Sequence, residues 1–100
     1  MDFGLTENQL HTIQSVFEKY PIVDEVFIYG SRAKGNFSER SDVDLAVVTS
    51  ESDRFTLSKI QIDFYESDIP FLFDIQDFKR LKNQDLIEHI QRIGKRIYKK

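Results

Sequence analysis

The chain has no cysteine, no tryptophan, one methionine and two prolines among its 100 residues. Without cysteine, disulfides, thiolate metal centres and a thiol nucleophile are excluded together, and the redox compartment stays open. No window approaches the roughly 18 consecutive apolar residues a membrane-spanning helix needs. The first twenty residues carry Asp2, Glu7 and Glu18 among scattered apolar positions, without the basic start and apolar run of a signal peptide, so a cytoplasmic chain is expected. Positive charge is also in short supply: 14 Lys and Arg against 17 Asp and Glu give a formal net charge of -3. Binding nucleic acid by phosphate neutralisation needs a field of Lys and Arg, so direct nucleic-acid binding is not expected. The one basic cluster, Lys95, Arg96, Lys99 and Lys100, reads as a solvated tail or as a contact to a partner or phosphate.

What is present suffices for one packed interior. Forty per cent of the residues are apolar, nine of them Phe, and a chain of this length has no room for a second core, so residues 1–100 are expected to form a single domain. Thr6 followed by Gln9 fits a capping box for a helix from Glu7 to about Tyr20, with Leu10, Ile13, Phe17 and Tyr20 at helical spacing and Pro21 as its stop. His11 within it has no ligand partner nearby and reads as ordinary helix surface. Val23 to Tyr29, rich in β-branched and aromatic residues, predicts a central strand covered on both faces.

Beyond it, Ser31 to Ser41 is polar, with Gly35 and Asn36 as a turn signal. A second strand is expected over Asp42 to Thr49. Asp53 to about Ser67 has helical spacing with two apolar stripes. Leu57, Ile60 and Phe64 form one, and Phe55, Ile62 and Tyr65 form another on a different side. Either both pack within the domain, or the second stays exposed as a docking surface. Pro70 introduces a third strand, Phe71 to Gln76. The last helix is expected from Gln84 to Ile93, capped by Asn83 and closed by Gly94, with Leu86, Ile90 and Ile93 inward and His89 exposed. Arg96 to Tyr98 can add a short terminal strand. The pattern is α/β, a small mixed sheet of three main strands flanked by helices.

The chemistry concentrates in Tyr29 to Leu45, Y-G-S-R-A-K-G-N-F-S-E-R-S-D-V-D-L. On a strand alternate side chains share a face, so Asp42 and Asp44 project together, roughly 6.5 to 7 Å apart at the backbone. Two acids held side by side repel unless a cation lies between them, and hard oxygen donors suit Mg²⁺, with Mn²⁺ as an alternative. Gly30 and Ser31 at the start of a short helix supply the opposite need, free N–H groups and a hydroxyl for phosphate oxygens. Arg32, Lys34 and Arg40 add positive charge around a polyphosphate, and Lys34 and Arg40 read equally well as solvated loop charge. Asp74 within F-L-F-D-I-Q is costly to bury without a partner and is the third candidate carboxylate. Asp77 has the opposite strand parity and reads as surface or as a helix start. Two metal ions about 3.5 to 4 Å apart can clamp the attacking and leaving oxygens of a displacement at phosphorus. Three carboxylates can hold such a pair when triphosphate oxygens and waters complete the shells.

The set Gly30–Ser31, then Asp42-Val43-Asp44 ten residues on, then a later strand aspartate at Asp74, resembles the nucleotidyltransferase signature of the DNA polymerase beta superfamily. The matching core, Val23 to Gln76, is about half of the chain. Within that superfamily the short length resembles the minimal nucleotidyltransferases (MNT), which pair with HEPN-domain proteins as antitoxin and toxin. The resemblance implies a polymerase beta-like fold and Mg²⁺-dependent transfer of AMP from ATP to a tyrosine of the HEPN partner. In it Asp42, Asp44 and Asp74 are catalytic metal ligands, and Gly30, Ser31 and Arg32 hold the phosphates. Two other functions remain open: a contact module that neutralises its partner without catalysis, and transfer to a small hydroxylated molecule with an accessory subunit. Homo- or hetero-oligomer formation fits each.

Overall fold

The computed structural model describes residues 3–51 and 53–100. The chain runs α1 (Glu7–Glu18), β1 (Val23–Tyr29), α2 (Gly30–Lys34), β2 (Val43–Thr49), α3 (Arg54–Tyr65), β3 (Phe73–Asp77), a 3₁₀ turn (Phe78–Arg80), α4 (Gln84–Ile93) and β4 (Lys95–Lys99). The strands make one mixed sheet in the order β3-β2-β1-β4. β1 is antiparallel to β2 and to β4, and β2 is parallel to β3. A parallel pair needs a crossover rather than a hairpin, and α3 supplies it.

Each helix begins where its sequence says it should. In α1 the Thr6 side chain accepts the Gln9 N–H at 3.0 Å while the Gln9 side chain accepts the Thr6 N–H at 2.9 Å, a complete capping box. Asp53 caps α3 by accepting from Phe55 N–H and from the Thr56 hydroxyl. Asn83 caps α4 by accepting the Leu86 N–H.

Alternation along the strands then divides the sheet. Val26, Ile28, Val43, Leu45 and Val47 are wholly buried in the cluster that includes Phe17, Ile60 and Phe64 of α1 and α3. Phe17 meets Phe64 edge-on at 5.5 Å between centroids, and Phe64 stacks on Phe73 at 4.2 Å. Such contacts add about 0.5 to 1.5 kcal/mol each beyond the area they bury. On the opposite face Ala46 and Tyr29 pack against Ile90 of α4.

Helix α3 is shorter than the expected Asp53 to Ser67 and β4 longer than the expected Arg96 to Tyr98, by one or two residues at each end. Four further boundaries also differ. Helix α1 stops at Glu18, because the residues before Pro21 tighten into i→i+3 bonds, Lys19 N–H to Val16 and Tyr20 N–H to Phe17, as proline disfavours helix in its predecessor. Asp42 lies just before β2 rather than in it. Strand β3 starts at Phe73, two residues late, and the Phe71 ring just before it lies over the Arg32 guanidinium at 4.3 Å. Asp77 ends β3 half-buried, its Oδ1 without a hydrogen-bond partner among the described residues, and leads into the 3₁₀ turn. The second α3 stripe is settled: Phe55, Ile62 and Tyr65 are 79, 55 and 88 % exposed. His11 is exposed. The basic C-terminal cluster lies on and just beyond edge strand β4, where Arg96 pairs with Glu25 at 3.1 Å and Lys100 Nζ donates to the Pro21 carbonyl. Among the described residues no helix is long and apolar enough to cross a membrane.

Candidate active site

Sheet register brings the three carboxylates to one end of one face. Asp44 on β2 and Asp74 on β3 are direct partners across the parallel ladder, and Tyr29, the last residue of β1, is the partner of Asp44 on its other side. Neighbouring strands lie about 4.8 Å apart, so residues thirty positions apart in sequence become neighbours. Asp42 precedes the same strand by one residue and is exposed, as is Asp74, whereas Asp44 is half-buried between them.

The electrostatics follow from that placement. The Asp44 carboxyl is pushed up to about 6, first by burial and then by the negative charges of Asp74 and Asp42, with Arg32 opposing. The Tyr29 phenol is raised by its own burial and then by Asp74 and Asp44. A carboxylate that resists ionisation because it is half-buried and two others face it is a site that a nearby positive charge would relieve. Among the described residues no three Asp, Glu or His side chains converge closely enough to hold an ion by themselves. The donor set is all oxygen and partly open, which fits a divalent cation whose shell is completed by substrate oxygens and water. Gln76 steadies the arrangement, its Nε2 donating to Asp74 Oδ1 at 3.0 Å.

Gly30 and Ser31 open α2 directly after β1. Gly30 has φ +74°, and a Cβ there would collide with Asp44 Oδ2. Glycine is therefore required twice, for its conformation and for room beside the carboxylate. Its N–H donates to His89 Nε2 on α4 at 3.2 Å, and the His89 ring stands edge-on to Tyr29, centroids 6.0 Å apart. His89 is half-buried, which corrects the expectation of an exposed residue. The helix's core stripe is not confined to Leu86, Ile90 and Ile93, and His89 lies beside it.

Arg32 is placed differently from a residue that grips phosphate. It is 1 % exposed. Its Nε and Nη2 donate to the Ser41 carbonyl at 3.2 and 2.8 Å, and its Nη1 to the Phe3 carbonyl at 2.9 Å. Its guanidinium lies over Phe71 at 4.3 Å and Phe37 at 5.4 Å. In this structure Arg32 clamps the loop that delivers Asp42, and its charge reaches Asp42 and Asp44 through space. Lys34 and Arg40 are exposed. A cavity of about 480 Å³ lined by Phe27, Val48, Phe78 and Ile90 lies on the same face toward Glu25. It contains none of the three carboxylates, so the chemistry and the cavity are separate.

The structure brings Asp44, Asp74 and the Gly-Ser turn together, with Asp42 one residue before β2, and sets beside them Gln76, Tyr29 and His89, which the sequence had not singled out. Gln76 shares strand parity with Asp74, and Tyr29 abuts Gly30, so both carried a local signal. For His89 the available signal was its position three residues from Leu86 and four from Ile93, at the edge of a buried stripe.

The comparisons with known proteins agree with this geometry. Residues 11–100 match the family described as polymerase beta, nucleotidyltransferase. A Haemophilus influenzae protein named probable protein adenylyltransferase MntA is 27 % identical over 90 residues, covering 89 % of this chain and 78 % of its own. A crystal structure of a toxin–antitoxin with AMP-PNP superposes with TM-score 0.72 at 19 % identity, over 91 % of this chain and 73 % of that one. A structure of tri-AMPylated Shewanella oneidensis HEPN toxin in complex with MNT antitoxin gives 0.63 at 17 % identity, over 91 % and 70 %. At those identities the solved structures speak for the fold, while the family match spans nearly the whole chain and includes the Gly-Ser turn and all three aspartates. The chain belongs to the polymerase beta nucleotidyltransferase family.

Proposed function

We propose that the chain is a divalent-cation-dependent adenylyltransferase of the cytoplasm, taking AMP from ATP to a tyrosine hydroxyl of a HEPN-domain partner and acting as its antitoxin. The observation that carries this reading is the register pairing of Asp44 with Asp74, beside Asp42 and against the Gly30–Ser31 turn. The similarity to MntA supports AMP as the transferred group and a protein as the acceptor. The complex with an AMPylated HEPN toxin supports the partner.

In this scheme Ser31 offers its hydroxyl and N–H to the terminal phosphates. Asp42 and Asp44 would hold the divalent cations, Mg²⁺ or Mn²⁺, that the reaction needs, and Asp74 faces the acceptor. Bound cations would neutralise charge at phosphorus and acidify the acceptor hydroxyl. The acceptor oxygen attacks the α-phosphorus, the bond from that phosphorus to the bridging oxygen breaks, and pyrophosphate leaves. The hydroxyl proton passes to Asp74 or to water. Gln76 keeps Asp74 aimed through its hydrogen bond.

Incubating the protein with α-labelled ATP, Mg²⁺ and a HEPN partner should label the partner, and Asp44→Ala should not. Label transferred by the variant at the wild-type rate would refute the reading. A second reading, neutralisation by contact, is favoured by one observation: the exposed row Phe55, Ile62 and Tyr65 on α3. It requires the Asp42→Ala/Asp44→Ala double variant to go on neutralising the partner while Phe55→Asp or Ile62→Asp fails.

A further inference from the structure

We infer that His89 is a positioning residue of the nucleotide site: by accepting the Gly30 N–H it sets the orientation of the turn that presents Ser31 to the phosphates. The inference rests on the ATP-dependent reading above. Its basis is the bond from Gly30 N–H to His89 Nε2 at 3.2 Å, made between residues 59 positions apart.

The local chain offers no substitute for that bond. The first N–H groups of a helix have no intrahelical acceptor, and Tyr29, in the cap position, makes no side-chain cap bond. Gly30 sits at φ +74°, where a glycine is held weakly because it tolerates so many other conformations. An acceptor fixed elsewhere in the fold selects one of them. His89 is such an acceptor. Its ring is held edge-on by Tyr29 at 6.0 Å, and its helix is held by the Asn83 cap and by Ile90 in the cluster with Tyr29 and Ala46. Accepting at Nε2 places the ring proton on Nδ1. The Gly30 N–H is thereby used inside the protein, and phosphate oxygens are left to Ser31.

The test is steady-state transfer with α-labelled ATP, paired with calorimetric binding of a non-hydrolysable ATP analogue, for wild type, His89→Ala and His89→Gln. One neutral hydrogen bond corresponds to about five-fold in affinity. His89→Ala is expected to raise KM for ATP and the analogue Kd by about that factor, with kcat within about two-fold. Glutamine, whose Oε1 can accept the same N–H, is expected to restore both constants. Amide exchange at Gly30 should be slow in wild type and His89→Gln and faster in His89→Ala. Unchanged KM and Kd in His89→Ala overturn the inference, as does a fall in kcat at constant KM or a glutamine variant no better than alanine. If wild type neither binds the analogue nor transfers, the functional reading fails, and Gly30 exchange alone still decides whether His89 holds the turn.

Discussion

The two faces of the sheet are written by the same strands, residue by alternate residue, and they solve opposite problems. Under α1 and α3, β1 and β2 present Val26, Ile28, Val43, Leu45 and Val47, all wholly buried. The other face carries Tyr29, Asp44, Ala46, Asp74 and Gln76, and α4 covers its Ala46 while leaving Asp74 exposed. The first face lowers the free energy of the folded chain by removing apolar surface from water. The second holds like charges together, which raises it. Stability is stored on one side and given up on the other, where a ligand of opposite charge would return it.

That contrast is sharpest at Asp44. Asp44→Asn should lower transfer by more than the roughly 100-fold seen when only an outer partner of a metal ligand is lost. In the absence of divalent cations the same variant should be more stable, by about 1 kcal/mol after allowance for partial exposure. Opposite signs in the labelled-ATP assay and in a urea melt are the expected result, and loss of both would break the comparison. On the dry face Phe17→Ala should cost about 3 to 5 kcal/mol, read by urea unfolding, with KM for ATP of the folded protein unchanged. Arg32→Ala links the two faces by leaving the Ser41 and Phe3 carbonyls without their donors, at a cost of about 2 to 3 kcal/mol. Arg32→Lys should recover little, because one ammonium cannot reproduce the fork. The smallest change is expected on the outer row of α3. Phe55→Asp should shift stability of the isolated chain by no more than about 0.5 kcal/mol, so a large loss of partner binding in a pull-down titration would mark a docking surface.

How much of this was legible depended on how local its cause is. Strand β1 and helix α4 lie at their expected bounds, because a β-branched run closed by Gly30 and a stripe bracketed by Asn83 and Gly94 are local signals. The joint placement of Asp42, Asp44 and Asp74 was legible from strand parity with the Gly-Ser motif. What escaped depended on contacts between distant segments. Nothing near Arg32 announces that Ser41, Phe3 and Phe71 will enclose it, and the motif alone suggests a phosphate ligand. Leu86 and Ile93 place His89 at the edge of a buried stripe, but nothing near it in sequence reveals that α4 will lie over Tyr29.

Half-burial of Asp44 beside Asp74 and Asp42 destabilises its charged form, a cost that a bound cation would offset. Asp44 has a folded-state value of about 6, above the unfolded value of 3.8, so between them the native state binds more protons than the unfolded one and stability falls as pH rises. The most direct measurement is thermal unfolding of wild type and Asp44→Asn from about pH 4 to about pH 7, with and without Mg²⁺ and a non-hydrolysable ATP analogue. Without ligands, Tm of wild type relative to Asp44→Asn should fall across that range, and adding Mg²⁺ with the analogue at pH 7 should raise the wild type more than the variant. A difference in Tm that stays flat with pH, and ligands that stabilise both proteins equally, would contradict the account.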